Sequence, residues 1–110
     1  MQAEGRIVNE CLMALSEAGC LAWRNDTGAL PGPGGRLIRY GLCKGSSDII
    51  AIAPDGVFVA VECKTAKGRP TPEQTRFIQA VRAKGGRAGI ARSGADAVAI
   101  ALGSHEPRLI

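Results

Sequence analysis

The stretch GSSDIIAIAPDGVFVAVECK, residues 45–64, decides how this chain reads. Two apolar, β-branched segments, Ser47–Ala53 and Val57–Thr65, are separated by Pro54-Asp55-Gly56. That spacing predicts a hairpin whose three-residue loop leaves Gly56 left-handed. With Ala53 opposite Val57, counting outward places Asp48 opposite Glu62, because both lie seven residues from Asp55. Directly opposed residues have Cβ atoms about 5 Å apart. Lys64 projects from the same face, about 7 Å further along the strand. Both faces are otherwise apolar: Ile49, Ala51, Val59 and Val61 on one, Ile50, Ile52, Phe58 and Ala60 on the other. A buried sheet thus carries an Asp, a Glu and a Lys gathered at one end.

Outward from the hairpin, the apolar residues Ile7, Val8, Cys11, Leu12 and Leu15 recur at helical spacing from Ala3 to Ala18, and Gly19 is placed to end that helix. Cys20 to Arg24 reads as a short strand. Asn25 to Gly35, dense in Gly and Pro, reads as an irregular loop, and Arg36 to Tyr40 as a short edge strand. Downstream, Thr71, Pro72 and Gln74 fit the cap, first position and capping-box partner of a helix running to Lys84. Arg87 to Arg92 reads as a strand, and Ala95 to Leu102 as either a short helix or a strand. The order predicts an α/β fold with an α-β-β-β-α-β core, a small mixed sheet flanked by helices.

The 110 residues suit a single domain, and a hydrophobic content of 45% is enough for a core. No apolar run is long enough to cross a bilayer, so the expectation is a soluble, cytoplasmic protein with no membrane partner. The four cysteines stand apart with no CxxC pair, and the one histidine, His105, reads as an exposed tail residue and a poor general base; neither zinc nor a disulfide framework is indicated. The net charge of +4 rests mainly on arginine and suits a phosphate-bearing partner. Arg36, Arg39 and Lys44 on one side of the hairpin, and Lys67, Arg69 and Arg76 on the other, are the candidate nucleic-acid contacts. Trp23 and Tyr40 read as packing residues of a core or interface, with base stacking as the alternative.

Two adjacent carboxylates repel unless a cation neutralises them. Oxygen ligands beside a lysine suit Mg2+ or Mn2+, which activates water toward a phosphodiester, while Lys64 orients that water or stabilises developing charge. At about 100° per residue, Glu4 falls in the middle of the first helix's apolar stripe, so it either reaches the same site or serves the helix dipole; Glu10 and Glu17 fall off the stripe and read as solvated. Gln74 faces the sheet and serves as a capping residue or a site residue. Cys63 turns its thiol to the opposite face, leaving its backbone carbonyl as the metal contact.

Gly45-x-x-Asp48, Glu62-x-Lys64 and Gly68-Arg69-x-Thr71-x-Glu73-Gln74 resemble the VRR-NUC nucleases, a branch of the PD-(D/E)xK superfamily of metal-dependent phosphodiesterases. The resemblance runs from Glu4 through Arg24-Asn25-x-Thr27-Gly28 to Gly85-Gly86, with Ser47 where the superfamily name has proline. It implies metal ligation by Asp48, Glu62 and Glu4, catalytic assistance by Lys64, and support from Gln74. It further implies a Mg2+- or Mn2+-dependent DNA endonuclease, selective for Holliday junctions or other branched DNA. Such an enzyme would work as a homodimer or higher homo-oligomer in the cytoplasm of a bacterium or phage-infected host. The alternatives are a catalytically silent nucleic-acid-binding module of the same fold, and a structural domain in which Glu62 and Lys64 are only a buried ion pair.

Overall fold

A computed structural model describes residues 3–103. The hairpin is present in the expected register: β4 (Ile49–Ile52) runs antiparallel to β5 (Phe58–Cys63), with Ile52 opposite Phe58 and Ile49 opposite Val61. Ala53 N–H donates to Val57 C=O, and Gly56 turns the corner at φ +88°. Upstream lie α1 (Ala3–Glu17) and β1 (Leu21–Arg24), joined through Gly19 at φ +91°; downstream come α2 (Pro72–Ala83), β6 (Arg87–Ala91) and α3 (Gly94–Leu102). The sheet order is β1-β4-β5-β6, with β5 and β6 parallel and the other neighbours antiparallel.

Helices cover both faces, which is why the central strands are apolar on both sides. On one face, Val8, Cys11 and Leu15 of α1 and Ala97, Ile100 and Ala101 of α3 pack over Ile49, Val59, Val61 and Cys63. On the other, Phe77, Ile78 and Val81 of α2 cover Ile50, Ala60 and Ala88. The α1–α3 contact is close enough that a Cβ on Gly94 would meet Ala14 Cβ at 3.0 Å. Glu10 does not sit free in solvent as its helical phase suggests; its Oε2 accepts a 2.8 Å hydrogen bond from Gly94 N, capping α3 where Ser93 Oγ accepts from Asp96 N. The Ala95–Leu102 segment is helical.

The Gly/Pro-rich segment departs from expectation. Gly28–Pro31 (β2) and Leu37–Tyr40 (β3) pair with each other as a separate antiparallel ribbon, closed by a 3-10 turn at Pro33–Gly35. Arg36 to Tyr40 is therefore no edge of the main sheet, and within the expected loop at 25–35 only residues 25–27 and 32 are irregular. The strand at Leu37–Tyr40 is as expected in type but not in partner, and Gly28–Pro31 escaped a period-two reading because Gly and Pro bound it and no core face marks it. Trp23 and Tyr40 are 45% and 46% exposed, so neither packs in the core of this chain. His105 lies outside the described residues.

Candidate metal and phosphodiester site

Asp48 sits at the bend where β4 begins, opposite Glu62 in the extended register. Its Oδ2 accepts a 2.9 Å hydrogen bond from Cys63 N, so the carboxylate occupies the place of a backbone carbonyl at the frayed end of the ladder. The backbone around it is fixed by Asn25: Asn25 N donates to Asp48 O at 2.8 Å, and Asn25 Nδ2 donates to Ser46 Oγ and Ser47 O at 2.7 and 2.9 Å. Gly45 completes the approach. At φ +86° it passes so close to Glu73 that a Cβ would stand 2.7 Å from that residue's backbone, which brings the start of α2 alongside Asp48.

Glu62 is 1% exposed in the middle of this arrangement. Its Oε2 lies 3.5 Å from Lys64 Nζ, while its Oε1 is buried without a hydrogen-bond partner. Glu4, in the first turn of α1, brings a third carboxylate; one oxygen each from Glu4, Asp48 and Glu62 lie within 4.8 Å of one another. The helix phase of Glu4 thus delivers it to the cluster. Burial, and then the negative charge of Asp48, push the Glu62 carboxyl up to about 8 against the opposing pull of Lys64. Without a cation Glu62 therefore holds its proton at neutral pH, and with all three carboxylates ionised against one ammonium the cluster would carry an excess of two negative charges. That excess, the clustering of oxygen donors and the orphaned Oε1 fit a divalent cation. The Glu62–Lys64 ion pair exists, but by itself it leaves Asp48 uncompensated.

Cys63 turns its thiol away, into the α1 face beside Cys11, whose Sγ donates to Ser93 O at 3.4 Å. The hydrogen bond to Cys11, and then burial, push the Cys63 thiol up, so it stays protonated. Because N–H and C=O of one strand residue point to the same side, the Cys63 carbonyl faces the Asp48 edge.

Gln74 closes the capping box predicted for α2: its Oε1 accepts from Thr71 N at 2.9 Å and its N–H donates to Thr71 Oγ1 at 3.1 Å. It also lines a polar cavity of about 570 Å³ together with Asp48, Asn25, Ser46, Thr27 and Tyr40. The six basic candidates Arg36, Arg39, Lys44, Lys67, Arg69 and Arg76 are all exposed. Lys44 and Arg76 come together at the start of α2. There the hydrogen bond from Glu73's own backbone N–H, and after it these two cations, hold the Glu73 carboxyl below the usual carboxylate range. Lys67 and Arg69 sit on the loop after Lys64, and that loop is clamped by a residue that sequence reasoning did not single out. Arg92 Nη1 donates to Thr65 O and, at 2.9 Å, to Gly68 O. Asn25 was likewise visible only as part of a motif. Neither role has a sequence signal, since both side chains act on backbone carbonyls far away in the chain.

Residues 2–95 match the VRR-NUC domain family. A solved structure described as a VRR-NUC domain superposes with a TM-score of 0.65 at 23% identity, covering 96% of this chain and 99% of the other. No curated protein matches. The family match takes in the whole acidic cluster, the lysine beside it and the capped helix behind it, and the chain belongs to the VRR-NUC domain family of nucleases.

Proposed function

We propose that this protein is a Mg2+- or Mn2+-dependent endodeoxyribonuclease that hydrolyses phosphodiester bonds in branched DNA. The observation that carries the reading is the set of three carboxylates converging within 4.8 Å, one with a buried, unpartnered oxygen, beside a single lysine. Asp48, Glu62, Glu4 and the Cys63 carbonyl are the groups that would hold the cation. When bound, such an ion would supply Lewis-acid stabilisation of charge on the phosphoryl oxygens and a water acidified toward neutrality.

The remaining work belongs to the chain. The Lys64 ammonium, 13% exposed, is a hydrogen-bond donor at the edge of the cluster. There it can orient the attacking water through its oxygen and stabilise charge on a non-bridging phosphate oxygen. Gln74 has its Oε1 committed to the cap, which leaves its side-chain NH2 as a donor toward the cavity. Lys44 and Arg76 on one side and Lys67 and Arg69 on the other suit the phosphates flanking the cut. The exposed apolar tip of the ribbon, Leu30, Leu37 and Ile38, supports assembly into a homodimer or higher oligomer, which would present two sites to a two-stranded or four-way substrate.

The test is incubation with labelled linear, flap and four-way DNA in Mg2+, Mn2+ or EDTA, alongside Asp48→Asn and Lys64→Ala. Cleavage by the wild type in either metal, abolished by EDTA and by both substitutions, is the expected result. Binding without cleavage of any substrate would replace the enzyme with a silent DNA-binding module, and cleavage surviving Asp48→Asn would move the site elsewhere.

A further inference from the structure

Beyond the acidic cluster, a second cavity of about 470 Å³ lies against the ribbon, lined by Arg39, Lys44 and Leu42 among others. It shares Thr27 and Tyr40 with the polar cavity that holds Asp48 and Gln74. Tyr40 therefore stands between the cavity that Asp48 lines and the one that Arg39 and Lys44 line. Between Thr27 and Ser47 there is no acidic residue, while Arg36, Arg39 and Lys44 are all present, and Asp26, which lines the first cavity, lies 3.6 Å from the Arg24 guanidinium. Tyr40 is also held in place. It pairs with Gly28 across the ribbon, and its ring covers that glycine so closely that a Cβ there would meet the hydroxyl at 2.5 Å. The result is a half-exposed aromatic ring seated on backbone, with a carboxylate site on one side and cations on the other.

We propose that Tyr40 stacks on an unpaired base of the nucleotide flanking the phosphate held at the acidic cluster, with Arg39 and Lys44 on the next phosphate of the same strand. Each cavity has the size of an ordinary small-molecule site, enough for one nucleotide. An aromatic ring is a sequence-tolerant platform because every base has a π-face. A base inside a duplex is already paired and stacked on its neighbours. Only a nucleotide that is single-stranded beside the cut can reach Tyr40, so the ribbon selects flaps, gaps and branch points over continuous duplex. This assignment rests on the nuclease reading above.

The experiment uses the full chain, Tyr40→Ala and Tyr40→Phe, on flap and four-way DNA carrying 2-aminopurine at successive positions beside the cut, and on continuous duplex. Without metal, the wild type and Tyr40→Phe should quench 2-aminopurine at one unpaired position, and Tyr40→Ala should not. With metal, Tyr40→Ala should raise KM on branched substrates by roughly 10- to 100-fold, the loss falling on KM rather than kcat, and Tyr40→Phe should restore it. Thermal melting of each variant establishes that the fold is retained. Absence of quenching in the wild type overturns the assignment whether or not DNA is cleaved. So does a Tyr40→Ala variant that cleaves branched DNA normally, or one whose defect is a change in oligomeric mass, which would make this face a contact between copies. Failure of the wild type to cleave, with quenching intact, would instead remove the nuclease reading and leave the stacking site standing.

Discussion

If the acidic cluster is built for a cation, the metal-free fold should become less stable as pH rises, and Glu62→Gln should abolish that dependence. Glu62 is 1% exposed, has one unpartnered oxygen, and is raised from 4.5 to about 8 by burial and by Asp48. In the unfolded chain the same carboxyl ionises near 4.5. Between those values the unfolded state releases a proton that the folded state keeps, so stability falls through this window and levels off above it. At about 1.4 kcal/mol per unit, the loss relative to pH 4.5 is on the order of 3 kcal/mol by pH 7. For a chain of this size that corresponds to roughly 10 °C or more in Tm. Urea and thermal melts followed by circular dichroism in EDTA, at half-unit steps from pH 5 to pH 8, read the effect directly. Relative to wild type, Glu62→Gln should gain about 3 kcal/mol of stability from pH 5 to pH 8. Saturating Mn2+ should reverse the trend in the wild type alone, adding about 2.7 kcal/mol at a hundredfold excess over Kd. A wild-type stability that is flat or rises across the window, or a Glu62→Gln profile parallel to it, would refute the reasoning.

Asn25→Ala should cost about 1–3 kcal/mol in denaturant melts by stripping donors from Ser46 and Ser47, and should lower kcat for cleavage more than DNA affinity, because the loop carrying Asp48 is loosened while the cations remain. Gly45→Ala, at φ +86° and against the Glu73 backbone, should destabilise by about 2 kcal/mol or more, whereas Gly56→Ala at a similar φ in open space should show only the smaller conformational cost. A thiol reagent should modify Cys43 rapidly in the native protein and Cys11, Cys20 and Cys63 only on unfolding, since those three are buried; mass spectrometry of the labelled peptides distinguishes them.

By itself the sequence determined the central hairpin, its register and the facing of Asp48 and Glu62. All of these follow from period-two side-chain alternation counted from one short loop. It likewise determined the capping box of α2 and the inward phase of Glu4, because those are local rules of helix geometry. Of the ribbon, the sequence showed the strand at Leu37–Tyr40 but not its partner Gly28–Pro31, because a strand of Gly, Pro and two apolar residues without a buried face carries no hydrophobic period. The cap from Glu10 to Gly94, the anchoring of the Asp48 loop by Asn25 and the clamp from Arg92 could come only from the tertiary structure. Each joins groups 21 or more residues apart through hydrogen bonds to which the pattern of apolar residues is blind. Tertiary packing also set the strength of the site. Sequence placed two carboxylates opposite each other, but only the packing that leaves Glu62 1% exposed removes the water that would otherwise screen them.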